Sequence, residues 1–171
     1  MNIKVAFYKA RGRHRDRFVR WWTSSPYSHV ELLLADDKTL IGINPPDKPR
    51  VRKSVLGEGA NKHDWDFVTL SATEEQLANL SEFYEITKEN RYDWIGMILS
   101  NVLPFKIKQI NKWYCSEWVA HALLYAKVLD QKAMQNYNRS GITPSDLYKI
   151  LNRASGPKVD SRDQIGQYQN L

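Results

Sequence analysis

The sequence predicts an α+β fold in which a small antiparallel sheet packs against helices, and three observations carry that expectation. β-branched and alternating apolar runs concentrate before Leu70. Runs with apolar residues at helical spacing, each behind a good capping residue, dominate after Ser71. Turn chemistry rich in Asp, Ser and Pro separates the early runs. In 171 residues, a hydrophobic fraction of 42% with 12% aromatics is enough for one buried core. A single domain is therefore expected over residues 1–155, with a polar, aperiodic tail over 156–171.

Taken in order, Ile3 to Tyr8 alternates around Val5 and Phe7 and reads as a strand. Arg15 to Thr23 places Phe18, Val19 and Trp22 on one helical face, and Thr23-Ser24-Ser25-Pro26 ends it. Tyr27 to Leu34 is a β-rich run closed by the turn Asp36-Asp37-Lys38. Thr39 to Ile43 returns as its hairpin partner. Asn44-Pro45-Pro46-Asp47-Lys48-Pro49 cannot continue a central strand, because prolines supply no N–H. Arg50 to Val55 is expected as another short strand, Gly57 to Lys62 as a loop and Trp65 to Leu70 as a strand.

The helical half opens with two overlapping capping boxes, Ser71 to Glu74 and Thr73 to Gln76. Leu77, Leu80 and Tyr84 then mark one face as far as Lys88. Asp93 is the expected N-cap of a helix holding Trp94, Ile95, Ile98, Leu99 and Val102, halted by Pro104. A third helix is expected from Cys115 to Leu129, with Trp118, Val119, Ala122, Leu123 and Ala126 on its apolar face. Thr143-Pro144-Ser145-Asp146 starts the last one, with proline at the first helical position, and it is expected to reach Leu151.

Composition excludes several classes. A single cysteine leaves no intramolecular disulfide and no four-cysteine zinc site, and a free thiol suits a reducing compartment. No metal and no cofactor are expected, because a zinc site from His29, Cys115 and a carboxylate would draw on ligands scattered singly. Met1 to Arg20 lacks the apolar core of a signal peptide, and Val30 to Ala35 is far short of the ~20 residues that cross a bilayer. A cytoplasmic location is the expectation. The net charge of +6 is lopsided: Lys4, Lys9, Arg11, Arg13, Arg15, Arg17 and Arg20 face only Asp16 in the first 20 residues. Such a patch attracts nucleic acid or an acidic protein, with Arg11, Arg13, Arg15 and Arg17 at its centre. The plainer reading is a solvated basic loop and helix face.

The chemistry gathers at Cys115. A thiol at a helix start meets unpaired N–H groups and the positive end of the dipole, which favour a thiolate. The plainer alternative is a small buried hydrophobe. A cysteine nucleophile needs a base, and there are four histidines. His14 lies inside the arginine run and His63 in a loop. His121, six residues past Cys115, points to the far side of the same helix. His29 begins a strand directly after a Pro-Tyr-Ser turn, where it can project towards a packed helix. Glu31 shares its side of the strand, and Asn44 ends the partner strand. Either can orient the imidazole. Ser116 and Glu117 suit a helix start, and Trp21, Trp22 and Trp113 suit core or rim packing.

Tyr27-Ser28-His29-Val30-Glu31-Leu32 followed by Tyr114-Cys115-Ser116-Glu117-Trp118-Val119 resembles the permuted branch of the NlpC/P60 superfamily of papain-like cysteine hydrolases. Arg20-Trp21-Trp22-Thr23, Tyr92-Asp93-Trp94-Ile95-Gly96 and Thr143-Pro144-Ser145-Asp146-Leu147 are similar to segments of such proteins, small bacteriophage members among them. The resemblance spans residues 3–151 and implies a circularly permuted papain-like fold, with the strand histidine ahead of the helix cysteine. It implies Cys115 as nucleophile and His29 as base. The family's third, polar residue falls on a strand after the histidine. Here Ile41 and Ile43 are apolar, which leaves Asn44, Glu31 or a dyad.

The implied activity is that of a thiol protease or related acyl-transfer enzyme, cleaving an amide or other acyl bond in a peptide, peptidoglycan or acyl substrate. The implied location is the host cytoplasm of a phage-encoded protein. A reading from another class is a non-catalytic binding protein that uses the basic N-terminal patch.

Overall fold

A computed structural model describes residues 1–10, 17, 20–21, 25–43, 50–56, 62–92, 112–135 and 142–154. The fold is α+β. Five strands form one antiparallel sheet: β1 (Asn2–Tyr8), β2 (His29–Leu33), β3 (Thr39–Ile43), β4 (Val51–Val55) and β5 (Trp65–Ser71), in the spatial order β4-β3-β2-β1-β5. β1 is an interior strand, flanked by β2 and β5, and it is apolar on both sides. Ile3, Val5 and Phe7 enter the main core, and Ala6 joins Leu33 and Leu40 in a smaller cluster on the other side. Val5 pairs with both Leu32 and Val68, so the register carries apolar residues straight across the sheet.

The β2–β3 hairpin turns where the sequence places it. The Asp36 carboxylate accepts from Lys38 N, Thr39 N and the Thr39 hydroxyl, and Asp37 takes a φ of 54°. The Thr39 hydroxyl and the two amides hold the Asp36 carboxyl down at about 2. β2 is an interior strand, flanked by β1 and β3. This matters below, because Glu31 is carried inside with it.

Among the described residues, three helices pack with the sheet: α1 (Glu74–Thr87), α2 (Cys115–Tyr125) and α3 (Pro144–Ala154). The second of the two overlapping capping boxes is the one used. Thr73 Oγ1 accepts from Gln76 N at 3.2 Å while the Gln76 amide oxygen accepts from Thr73 N at 2.9 Å. At α3, Thr143 and Asp146 make the same reciprocal closure ahead of Pro144. That helix runs a turn beyond the expected Leu151, to Ala154.

Helix α2 is shorter than the apolar pattern suggests. It ends at Tyr125, because Lys127 turns left-handed at φ 56°. Val128 N then donates to Leu123 O and Lys127 N to Leu124 O, a Schellman closure that needs no glycine. Val128 and Leu129 fold back onto the core, which is why their apolar character imitates a longer helix. Gln131–Met134 forms a 3-10 turn instead, started by Asp130 capping Lys132 N. Along α2 and at its C-cap, Trp118, Val119, Ala122, Leu123 and Ala126 are all fully buried, as their spacing predicts.

α1 and α2 are tied at both ends. Trp118 Nε1 donates to Thr87 Oγ1 at 2.9 Å, and Gln76 Nε2 donates to Lys127 O at 2.7 Å. Ahead of α2, two-residue strands β6 (Arg91–Tyr92) and β7 (Lys112–Trp113) pair in parallel. The sequence holds no signal for this clasp, and it fixes where α2 begins. The expected Asp93 helix, the body of the Arg15 helix, most of the Gly57 loop and the tail lie outside the described residues. Among the described residues, no helix is long and apolar enough to cross a membrane.

Candidate functional site

Two element starts meet at the site: His29 is the first residue of β2, and Cys115 is the first residue of α2. The start of β2 is held from several directions. Ser28 N donates to Tyr8 O at 3.0 Å, and Tyr27 N donates to Ser25 Oγ at 3.0 Å. The Tyr27 hydroxyl donates to Asp66 Oδ2 at 2.9 Å, and Lys9 Nζ donates to Asp66 Oδ1 at 2.6 Å. Burial, and then the Asp66 carboxylate beside it, keep the Tyr27 phenol protonated far above its ordinary value. Its ring packs against both Phe7 and Tyr148, which also touch each other. The turn ahead of His29 is thus anchored to β1, β5 and α3 at once.

The start of α2 is held differently. Tyr114, the N-cap residue, is buried; its carbonyl accepts from Trp118 N at 2.9 Å, and its side chain makes no capping hydrogen bond to the helix. The Ser116 hydroxyl donates to Ile142 O at 2.7 Å, which ties the first turn to the segment before α3. Ser116 is therefore a tether rather than a cap. Cys115 and Glu117 are buried beside it at 5% and 3% exposure.

His29 and Glu31 project on the same side of β2, as strand alternation requires. Glu31 Oε1 lies 3.2 Å from His29 Nε2, an ion-pair contact rather than an aligned hydrogen bond. Both side chains are largely enclosed, at 12% and 4% exposure. Burial alone would push the imidazole towards its neutral form. The Glu31 charge and the Cys115 thiol beside the ring outweigh burial, and His29 is raised from 6.5 to about 10. The balance of these contacts favours the imidazolium over the neutral ring.

Of the four residues expected at the site, three come together: Cys115, His29 and Glu31. Glu31 is no solvent-facing residue of an edge strand; it is buried on an interior one. Asn44 lies outside the described residues. His63 sits exposed in a 3-10 turn, and His121 packs its ring edge-on against Trp113 at 4.9 Å. His14 lies outside the described residues. Trp113 is a packing residue, against Phe83 and His121, whereas Trp21 is 74% exposed.

The residue that sequence reasoning missed is Gly42 on β3. A Cβ built there would lie 2.7 Å from Glu31 Cγ. A lone glycine inside a strand, here between two isoleucines, is a usable signal for a close approach.

Arg11, Arg13 and Arg15 of the basic patch lie outside the described residues, and Arg17 is exposed. Several neighbouring cations are engaged within the chain. Lys4 pairs with Asp37 at 2.8 Å, Lys9 pairs with Asp66 at 2.6 Å, and Arg20 donates to Lys9 O at 2.8 Å. Among the described residues, no group of three His, Cys, Asp or Glu side chains is placed to hold a metal ion. Compared with family models, with curated proteins and with solved structures, the chain finds no match.

Proposed function

We propose that the chain is a cysteine hydrolase or acyltransferase of papain-like type, acting on an amide or related acyl bond. One observation carries the reading: the His29 imidazole lies between the Glu31 carboxylate and the Cys115 thiol, with the thiol at a helix start. A permuted NlpC/P60 relationship is part of the same proposal. It draws support from the order of the parts, a strand histidine ahead of a helix cysteine around an antiparallel sheet.

The reaction runs in two halves. The Cys115 thiolate attacks the carbonyl carbon, and the C=O electron pair moves onto oxygen. The N–H groups of the first turn of α2 face that oxyanion, and one such donor is worth about 3 kcal/mol in the transition state. As the intermediate collapses, the leaving nitrogen or oxygen takes the proton from the His29 imidazolium, and a thioester remains on Cys115. Water or an amine then gives a proton back to His29 while attacking the thioester, which frees the thiolate. Glu31 holds the imidazole in place and stabilises its positive charge throughout.

The test is the rate of Cys115 alkylation by chloroacetamide across pH, in wild type and His29→Ala, followed by mass. Wild type is expected to react well below the ~8.5 at which an ordinary thiol titrates, and His29→Ala is expected to lose that reactivity. Two superimposable profiles centred near ~8.5 would overturn the proposal.

A further inference from the structure

Gly42 sits on β3 beside the strand that carries His29 and Glu31. Its φ lies outside the left-handed region, so the backbone does not require glycine there. Its neighbours Ile41 and Ile43 are buried β-branched residues, the side chains that a strand of this kind favours. What sets position 42 apart is the space beside it. A Cβ would lie 2.7 Å from Glu31 Cγ, 3.2 Å from Glu31 Cβ and 3.3 Å from Glu31 Oε1. The first distance is too short for real atoms, and the atoms met belong to a side chain that is 4% exposed and enclosed on its other sides.

We infer that Gly42 is a positioning residue: its missing side chain is the seat that keeps the Glu31 carboxylate on the His29 imidazole. The Oε1 atom that a Cβ at 42 would crowd is the one 3.2 Å from His29 Nε2. Any larger residue at 42 forces the carboxylate off that spot. The same vector has a second consequence. A carboxylate carried by position 42 itself would enter the space that Glu31 occupies, so the acceptor can be delivered from either strand. In its catalytic meaning the inference rests on the hydrolase reading. As a statement about the imidazole it can be measured separately.

The experiment follows the His29 ring by NMR titration in the full chain. Glu31→Ala and Gly42→Ala are both expected to lower its midpoint by about 1–3 units, the size of effect that one adjacent opposite charge produces. Glu31→Ala/Gly42→Glu is expected to move it back towards wild type. A midpoint that Gly42→Ala leaves unchanged overturns the inference.

Folding supplies a second readout. Gly42→Ala should destabilise the wild-type background and be relieved in Glu31→Ala, where the 2.7 Å conflict is gone. Equal destabilisation in both backgrounds, including failure of both to fold, overturns the seat. Alkylation of Cys115 that ignores His29, while the imidazole still follows position 42, removes the hydrolase reading and supports the seat.

Discussion

Helix α1 begins behind Thr73, whose side chain and Gln76 close a reciprocal pair of hydrogen bonds over the first turn. Helix α2 begins behind Tyr114, whose side chain does not cap it, and places a thiol at its first position. Both helices face the same problem of unpaired N–H groups at their starts. α1 solves it with its own side chains and gains stability. α2 takes its stability from elsewhere, through Trp118 in the core and Ser116 on Ile142 O, and places Cys115 rather than a capping side chain at its start. Where a fold secures a helix end from outside, the end itself is available for a reacting group.

The sharpest way to break this comparison is to remove the outside support. Trp118→Ala empties a fully buried site and strips Thr87 of its indole donor, so it should cost about 3–5 kcal/mol by chemical denaturation. A loss below 1 kcal/mol would mean that α2 is not held by its packing.

Next in size is the pH dependence of stability. His29 titrates at about 10 in the fold against its ordinary 6.5, so the folded chain binds the extra proton between those values. Its contribution is complete below 6.5 and is lost as pH rises through about 10. Thermal melts across that window should show Tm falling in wild type, with a flatter profile in Glu31→Gln. Parallel profiles would place the imidazole's partner elsewhere.

The smallest effect is at the capped end. Thr73→Ala should cost about 1 kcal/mol and leave Cys115 alkylation as it was. Altered alkylation in this variant would show that the two helix starts are coupled, and the division of labour drawn above would fail.

The strands and the capped helices were legible in the sequence because local chemistry decides them. Thr39–Ile43 is bounded by an Asp turn on one side and by prolines on the other, and α3 is announced by Thr143 and Pro144. Features that depend on tertiary pairing were not legible. Lys127 adopts a left-handed turn with no glycine to mark it, and the β6–β7 clasp joins residues with no strand pattern. At the site, Cys115 and His29 were legible from their places at element starts. The choice of Glu31 as partner was not, since it turns on β2 being interior and on the room beside Gly42.

The clasp has a consequence for how this chain tolerates change. Arg91 pairs with Lys112, so the chain leaves and returns at one spot after 112 − 91 = 21 positions. The pairing holds the backbone directly ahead of Cys115, so a change in β6 that loosens it reaches the start of α2 from a distant stretch of sequence.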